Sequence, residues 1–174
     1  MEALKSILTR RSIRKFTPEP VTDDIIENVL RSAMSAPSAT NEQPWHFIII
    51  NKREILDNIP KVHPYALMCQ QAPIAIMVCI DLNQEQYRDF WVQDLAAASQ
   101  NILLAIRTQG LGGVWLGIYP TTERVQSVQK LFGLPENVVP FSLIPFGHTD
   151  MPQEEVKERF KKERIHYNKW EEAK

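Results

Sequence analysis

A chain of 174 residues, 44% hydrophobic and 24% charged, is long enough to bury one sizeable core. Its net charge of -1 supplies no global field for nucleic acid or an anionic membrane, and its apolar runs are too short to span a bilayer. Its two cysteines, Cys69 and Cys79, form no Cys-x-x-Cys pair and its four histidines show no i,i+4 spacing, so no iron–sulfur cluster, zinc ribbon, other metal site or disulfide framework is expected.

The N-terminal segment lacks the apolar stretch of a secretory signal, so the cytoplasm is the expected compartment. Residues 2–9 read as a short helix with Leu4, Ile7 and Leu8 on one side. Arg10-Arg11-Ser12-Ile13-Arg14 follows, and on one helical turn Arg10 and Arg14 would share a face. Thr22 can cap a second helix, whose apolar stripe is Ile25, Ile26, Val29, Leu30 and Ala33 and which Pro37 stops. Trp45 to Ile50 is a strand, and Ile74 to Ile80 is a second whose continuous apolar character predicts burial on both faces, with Cys79 an inert buried thiol.

Residues 86–109 read as the longest helix, apolar on more than one face and closed by Gly110 in a left-handed conformation. A helix so apolar must be enclosed, and a partner subunit is part of the expected enclosure. Residues 114–119 form a third strand. Thr121 or Thr122 caps a helix that ends at Gly133. Residues 138–146 form the last strand, with bends or bulges expected at Pro140 and Pro145. After Gly147 the chain becomes charged and then ends in aromatic residues that need somewhere to bury. The order of elements predicts α+β in a single domain, 1–174. Gly110-Leu111-Gly112-Gly113 holds no Gly-x-Gly-x-x-Gly, so a Rossmann site is not indicated.

Two stretches could carry chemistry. Arg10, Arg14 and the Ser12 hydroxyl suit a near-dianionic phosphate monoester. Alone they read as a solvated run after an amphipathic helix. Ser38, Thr40, Asn41 and Gln43 put four hydrogen-bonding side chains in six positions, between Pro37 and Pro44. Amides both donate and accept, which matches the pyrimidine edge of a flavin. Read alone, that stretch is a surface turn.

Taken together, in this order and at this distance from the N-terminus, the two stretches resemble the FMN-dependent nitroreductase family. The resemblance covers almost the whole chain. It implies a central, mostly antiparallel sheet flanked by helices, and a C-terminal tail embracing a partner subunit. In that family the Arg-x-Ser-x-(Lys/Arg) segment holds the FMN phosphate and approaches the ring, which implies those roles for Arg10, Ser12 and Arg14, with Arg11 a further candidate. The family's Pro-Ser-x-x-Asn-x-Gln-Pro-Trp loop reaches the flavin from the other subunit, which implies Pro37, Ser38, Ala39, Asn41 and Gln43. A strand end whose backbone amides face flavin N5 corresponds to Trp115, Leu116 and Gly117. A basic pair closing on the phosphate corresponds to Lys157 and Arg159, with Lys161, Lys162 and Arg164 as rivals.

One departure concerns the flavin pyrimidine. Relatives often carry a lysine where this chain reads Tyr65-Ala66-Leu67-Met68-Cys69-Gln70-Gln71. Gln70 or Gln71 is the candidate substitute, with Arg14 the main cation. Trp115 is either core or flavin wall. Trp91 belongs in the core, His46 faces solvent, and His148 sits in a structural turn.

The resemblance further implies a homodimer with FMN at the interface and NAD(P)H as reductant. It implies ping-pong reduction of nitroaromatics, quinones or similar flat acceptors, with the chemistry at flavin N5 rather than at a protein nucleophile. Reductive dehalogenation, flavin fragmentation or non-catalytic flavin binding on the same scaffold are the alternatives.

Overall fold

The computed structural model describes residues 3–154 and 159–170. Five strands form one antiparallel sheet: β1 (Trp45–Ile50), β2 (Ile74–Asp81), β3 (Gly112–Gly113), β4 (Leu116–Gly117) and β5 (Val138–Gly147). Their order is β1-β2-β5-β3, with β4 also paired to β5. Helices α1 (Ala3–Thr9), α2 (Asp23–Met34), α3 (Arg53–Asn58), α4 (Trp91–Thr108) and α5 (Thr122–Phe132) surround it. This is the α+β architecture the sequence predicts.

The sheet divides two apolar layers, and β2 shows how. Ile74, Ile76, Val78 and Ile80 pack towards α2 and α4, while Ala75, Met77 and Cys79 pack towards α3, α5 and β4. Strand side chains alternate between faces, so a strand buried on both must be apolar throughout. Cys69 and Cys79 are free and buried, and burial pushes both thiols up to about 12, the inert state expected of Cys79.

Several boundaries differ from the sequence reading. The arginine segment is not a helical turn, because α1 ends at Thr9 and Ser12 forms a parallel bridge with Gly113. The long helix begins at Trp91 rather than residue 86. The Gln86 and Tyr87 amides donate to Glu42 Oε2 (3.0 and 3.1 Å) and that of Asp89 to Glu85 Oε1 (3.0 Å). These bonds hold residues 86–89 as a separate turn, and Asp89, with φ 74°, breaks the helical path just before Trp91. Thr22 and Thr121 occupy the cap positions of α2 and α5 without a side-chain capping bond. Helix α3 was not read from the sequence. Its Arg53 donates to the Ala72 carbonyl (2.9 Å) and the Cys69 carbonyl, tying it to the loop before β2.

Of the strand expected over residues 114–119, Leu116–Gly117 forms, and Gly112–Gly113 ahead of it lies in the same register, Gly113 facing Phe146 and Leu116 facing Leu143. The ladder lapses between them opposite Pro145, which has no N–H to give. The bulge expected in the last strand falls beside Pro140. Val78 pairs with Ser142 and Cys79 with Pro140, leaving Phe141 extra. The Phe141 carbonyl then accepts from both the Ile118 and Tyr119 amides (3.0 and 3.1 Å), fixing the chain after β4.

Candidate functional site

The Ile13 amide donates to the Gly113 carbonyl (3.0 Å), which lays residues 10–14 beside β3. Extended backbone turns alternate residues to opposite sides. Ile13 is buried at 4% exposure while Ser12 and Arg14 face outward. Arg10 and Arg14, four residues apart, lie at most about 14 Å apart along such a chain.

Arg10 is half-buried, and its proton affinity is lowered first by that burial, then by the charges of Arg11 and Arg159. The charges of Arg11 and Arg159 therefore reach Arg10. Among the described residues no carboxylate pairs with Arg10. Like charges gathered without a counter-charge form a seat for an anion. Arg11 also donates to the carbonyls of Leu8 (3.1 Å), Arg10 (2.6 Å) and Glu154, so much of its fork is spent on the backbone. Arg159 is the C-terminal residue whose charge reaches Arg10. Its expected companion Lys157 lies outside the described residues, and Lys161, Lys162 and Arg164 are exposed, as Arg159 itself is.

At the other end of the segment Arg14 borders a cavity of about 440 Å³ with Trp115, Leu116 and Gly117. That volume suits a small flat ring, within the roughly 300–1,000 Å³ of small-molecule pockets. The sole strand partner of β4 among the described residues is β5. Trp115 stands between the cavity and the apolar core. It lines the cavity and packs edge-on against Phe141 with centroids 5.7 Å apart. Trp91, in turn, packs on Phe141 and Tyr119 in the core. A molecule with an anionic end and a ring end fits this arrangement.

Two polar cavity residues, His63 and Arg124, were not singled out from the sequence, and Tyr65 of the stretch expected near the pyrimidine joins them. Gln70 and Gln71 are exposed and do not line it. The Tyr65 amide donates to His63 Nδ1 (3.3 Å), so Nδ1 is the acceptor and Nε2 carries the proton. That Nε2–H meets the Gly117 carbonyl at 3.0 Å. Burial lowers the His63 pKa and Arg124 adds to the effect, against the opposing pull of the carbonyl, which keeps the ring neutral. Arg124 Nη1 donates to the same carbonyl, and its guanidinium lies 5.9 Å from the Tyr65 ring centroid. No spacing rule joins residues 63, 117 and 124. Only the return of the chain after the β4 turn brings them together.

The loop of Pro37, Ser38 and Ala39 lines a different cavity, of about 550 Å³, with Tyr87, Phe90 and Asp94. Its shape is fixed from within. The Gln43 amide donates to Ser38 Oγ (3.0 Å) and Gln43 Nε2 to Asn41 Oδ1 (2.9 Å). Thr40, Asn41 and Gln43 all have positive φ (49°, 61° and 52°). The Ala39 amide donates to Asp94 Oδ1 (3.1 Å), anchoring the loop to α4. Within one chain, then, the two families of candidate residues border separate cavities.

Large apolar side chains remain uncovered. Leu4, Ile7 and Leu8 of α1 are 66%, 53% and 47% exposed, the reverse of an inward apolar side, while Ser6 and Thr9 are the buried residues of that helix. In the tail Phe160, Tyr167 and Trp170 are 65–80% exposed. Among the described residues no helix is long and apolar enough to cross a membrane.

The sequence model of the Nitroreductase family matches residues 7–148. A Methanothermobacter thermautotrophicus protein, provisionally named an NADH dehydrogenase/NAD(P)H nitroreductase, is 49% identical over 172 residues, 98% of this chain and 88% of that one. The crystal structure of a provisionally named NADH oxidase of Clostridium acetobutylicum superposes with a TM-score of 0.91 at 40% identity, covering 95% and 99% of the two chains. A provisionally named nitroreductase of Desulfovibrio desulfuricans, solved in complex with FMN, gives 0.79 at 29% identity, covering 91% and 92%.

Proposed function

The chain belongs to the nitroreductase family, and on that premise we propose that it is an FMN-dependent oxidoreductase, reducing flat acceptors at the expense of NAD(P)H. One observation carries the reading: Arg10, Arg11 and Arg159, which pair with no carboxylate among the described residues, lie at one end of residues 10–14, and a ring-sized cavity at the other. FMN when bound supplies a two-electron carrier that takes a hydride at N5 and gives it up again. Overall, NAD(P)H yields a hydride and the solvent a proton. A quinone thereby becomes a hydroquinone, or a nitro group becomes a nitroso group and water.

Each residue then has a binding or orienting task. Arg10 and Arg159, with Ser12, Arg11 and Lys157, hold the phosphate. Arg14 meets the ring edge, and the backbone of Trp115, Leu116 and Gly117 borders the ring. His63 and Arg124 keep that backbone in place through the Gly117 carbonyl. Trp115 forms a hydrophobic wall that excludes water. No protein nucleophile is needed, because the flavin carries the electrons.

The second half of the site comes from a partner subunit. Pro37, Ser38, Ala39, Asn41 and Gln43 of one chain complete the cavity beside Gly117 of the other in a homodimer with two sites. The separate cavities and the uncovered apolar residues of α1 and the tail support this. The tail wraps the partner. Two buried, unpaired thiols suit the cytoplasm.

Anaerobic titration tests the activity. The purified protein should be yellow, bleach on adding NADH or NADPH, and recolour with a nitroarene or quinone. Bound flavin that neither nicotinamide reduces overturns the reading. Subunit mixing tests the seam. R10Q and N41A each lose flavin alone, while mixed and reassembled chains should regain about a quarter of the sites, because a two-fold heterodimer rebuilds one intact site of two. No recovery overturns the shared site.

A further inference from the structure

The cavity beside Gly117 holds more positive charge than a neutral ring requires. Arg14 and Arg124 both line it, and among the described residues neither an aspartate nor a glutamate does. Glu123, next to Arg124 in the chain, is exposed and stays outside the lining. Arg14 spends little of its guanidinium on the protein; its one side-chain contact among the described residues is a long 3.5 Å approach to the Ser12 carbonyl. Arg124 gives Nη1 to Gly117, yet its Nε is buried without a partner. A buried guanidinium N–H without an acceptor is costly unless something supplies one. The remaining wall is flat or apolar: Tyr65, Leu67, Met68 and Trp115. With Arg14 given to the flavin edge, the remaining fork of Arg124 over such a wall matches a planar acceptor with a carboxylate or phenolate on its edge.

We propose that Arg124 makes this oxidoreductase selective for anionic aromatic acceptors, the charge sitting on the ring or one bond from it. The inference rests on the flavin-oxidoreductase reading. A nucleotide 2′-phosphate meets the same guanidinium chemistry, but it lies a ribose and a pyrophosphate away from the nicotinamide. A cavity of about 440 Å³ does not span that distance.

The holoenzyme decides between these sources. Steady-state reduction is compared for 4-nitrobenzoate, isosteric neutral 4-nitrobenzamide and the cationic 4-nitrophenyltrimethylammonium ion. Equilibrium binding of non-reducible benzoate and benzamide is read from the spectrum of the bound flavin. Wild type should favour the benzoate member of each pair about tenfold at low ionic strength, and the margin should shrink at 0.5 M salt. R124Q should abolish the margin in both assays. R124K, which keeps the charge but not the fork, should retain part of it, and this variant with the salt series decides the matter if R124Q fails to fold. Equal treatment of the three nitroarenes by wild type, or an undiminished margin in R124Q, overturns the proposal. So does a change confined to NADPH against NADH. A protein that takes up no flavin would instead sink the oxidoreductase reading, so the two failures are distinct.

Discussion

Ile13 packs against a position that has room only for glycine: a Cβ on Gly112 would stand 2.7 Å from both Cβ and Cγ2 of Ile13. Gly112 does not have the positive φ that would otherwise demand glycine, so the requirement is one of space. That contact sets how closely the arginine segment lies on β3. G112A should push residues 10–14 away from the sheet and destabilise the protein by about 1–3 kcal/mol, the range for overpacking. It should also weaken FMN retention, although Gly112 is not among the residues proposed to hold the cofactor. I13A should cost about 2–4 kcal/mol through the cavity it leaves. The double variant should be more stable than the sum of the two losses, because each change relieves the other. Strict additivity in denaturant melts would mean that the contact does not govern the segment.

The same contact marks the limit of what the sequence made legible. The elements could be read because Ile74 to Ile80 and the stripe of α2 are set by local periodicity. The arginines were legible as a cluster, but the helical turn assigned to them was wrong. Nothing local says that Gly112 and Gly113, about a hundred residues on, offer a bare strand for the segment to lie against. His63 and Arg124 were missed for the same reason. Both act on the carbonyl of Gly117, and backbone acceptors leave no trace in side-chain motifs. Pro140 and Pro145, by contrast, announced the irregularities of β5, because a missing N–H is a property of the residue itself.

Arg10 separates cofactor binding from stability. Burial and the like charges of Arg11 and Arg159 work against its guanidinium in the free protein. R10Q should therefore leave the apo melting temperature unchanged or slightly raised. The same variant should bind FMN more weakly by about 1–3 kcal/mol, the scale of a charge-assisted bond. Thermal melts with and without added FMN read both quantities at once, since saturating ligand at a hundred times Kd adds about 2.7 kcal/mol to a binding-competent protein. An R10Q protein that melts much lower without FMN, or takes it up as wild type does, would show that the guanidinium serves the fold rather than the phosphate.

His63 predicts an acid-sensitive cavity. Its folded pKa is lowered, chiefly by burial, so the neutral form is the native one. A depressed folded pKa contributes stability that is present above the ordinary value of about 6.5 and is lost as pH falls towards the folded value. Protonation at Nδ1 also sets a donor against the Tyr65 amide that now donates to it. H63Q can keep a donor for the Gly117 carbonyl but cannot titrate. Its stability should fall less than that of wild type between pH 7.5 and 5, measured by chemical denaturation at each pH. Parallel profiles would remove His63 from the account.

Asp94 makes the opposite prediction, at the loop proposed to reach the partner's flavin. The residue is 5% exposed, and Oδ2 is buried without a hydrogen-bond partner. Burial raises its pKa, Glu42 adds to the rise, and the Ala39 amide on Oδ1 opposes it. For a carboxyl with a raised folded pKa, the stability contribution is complete below the ordinary value of about 4 and is lost as pH climbs through the folded value. D94N keeps an acceptor for Ala39 and removes the charge. Its melting temperature relative to wild type should therefore rise between pH 4 and pH 8. D94A removes the acceptor as well. It should free the Ala39 amide at every pH, costing about 1–3 kcal/mol for the unpaired group and loosening residues 38–43. Amide hydrogen exchange at Ala39 separates the two variants: protection retained in D94N and lost in D94A. Equal protection in both would mean that the loop holds its shape through Ser38, Asn41 and Gln43 without the anchor on α4.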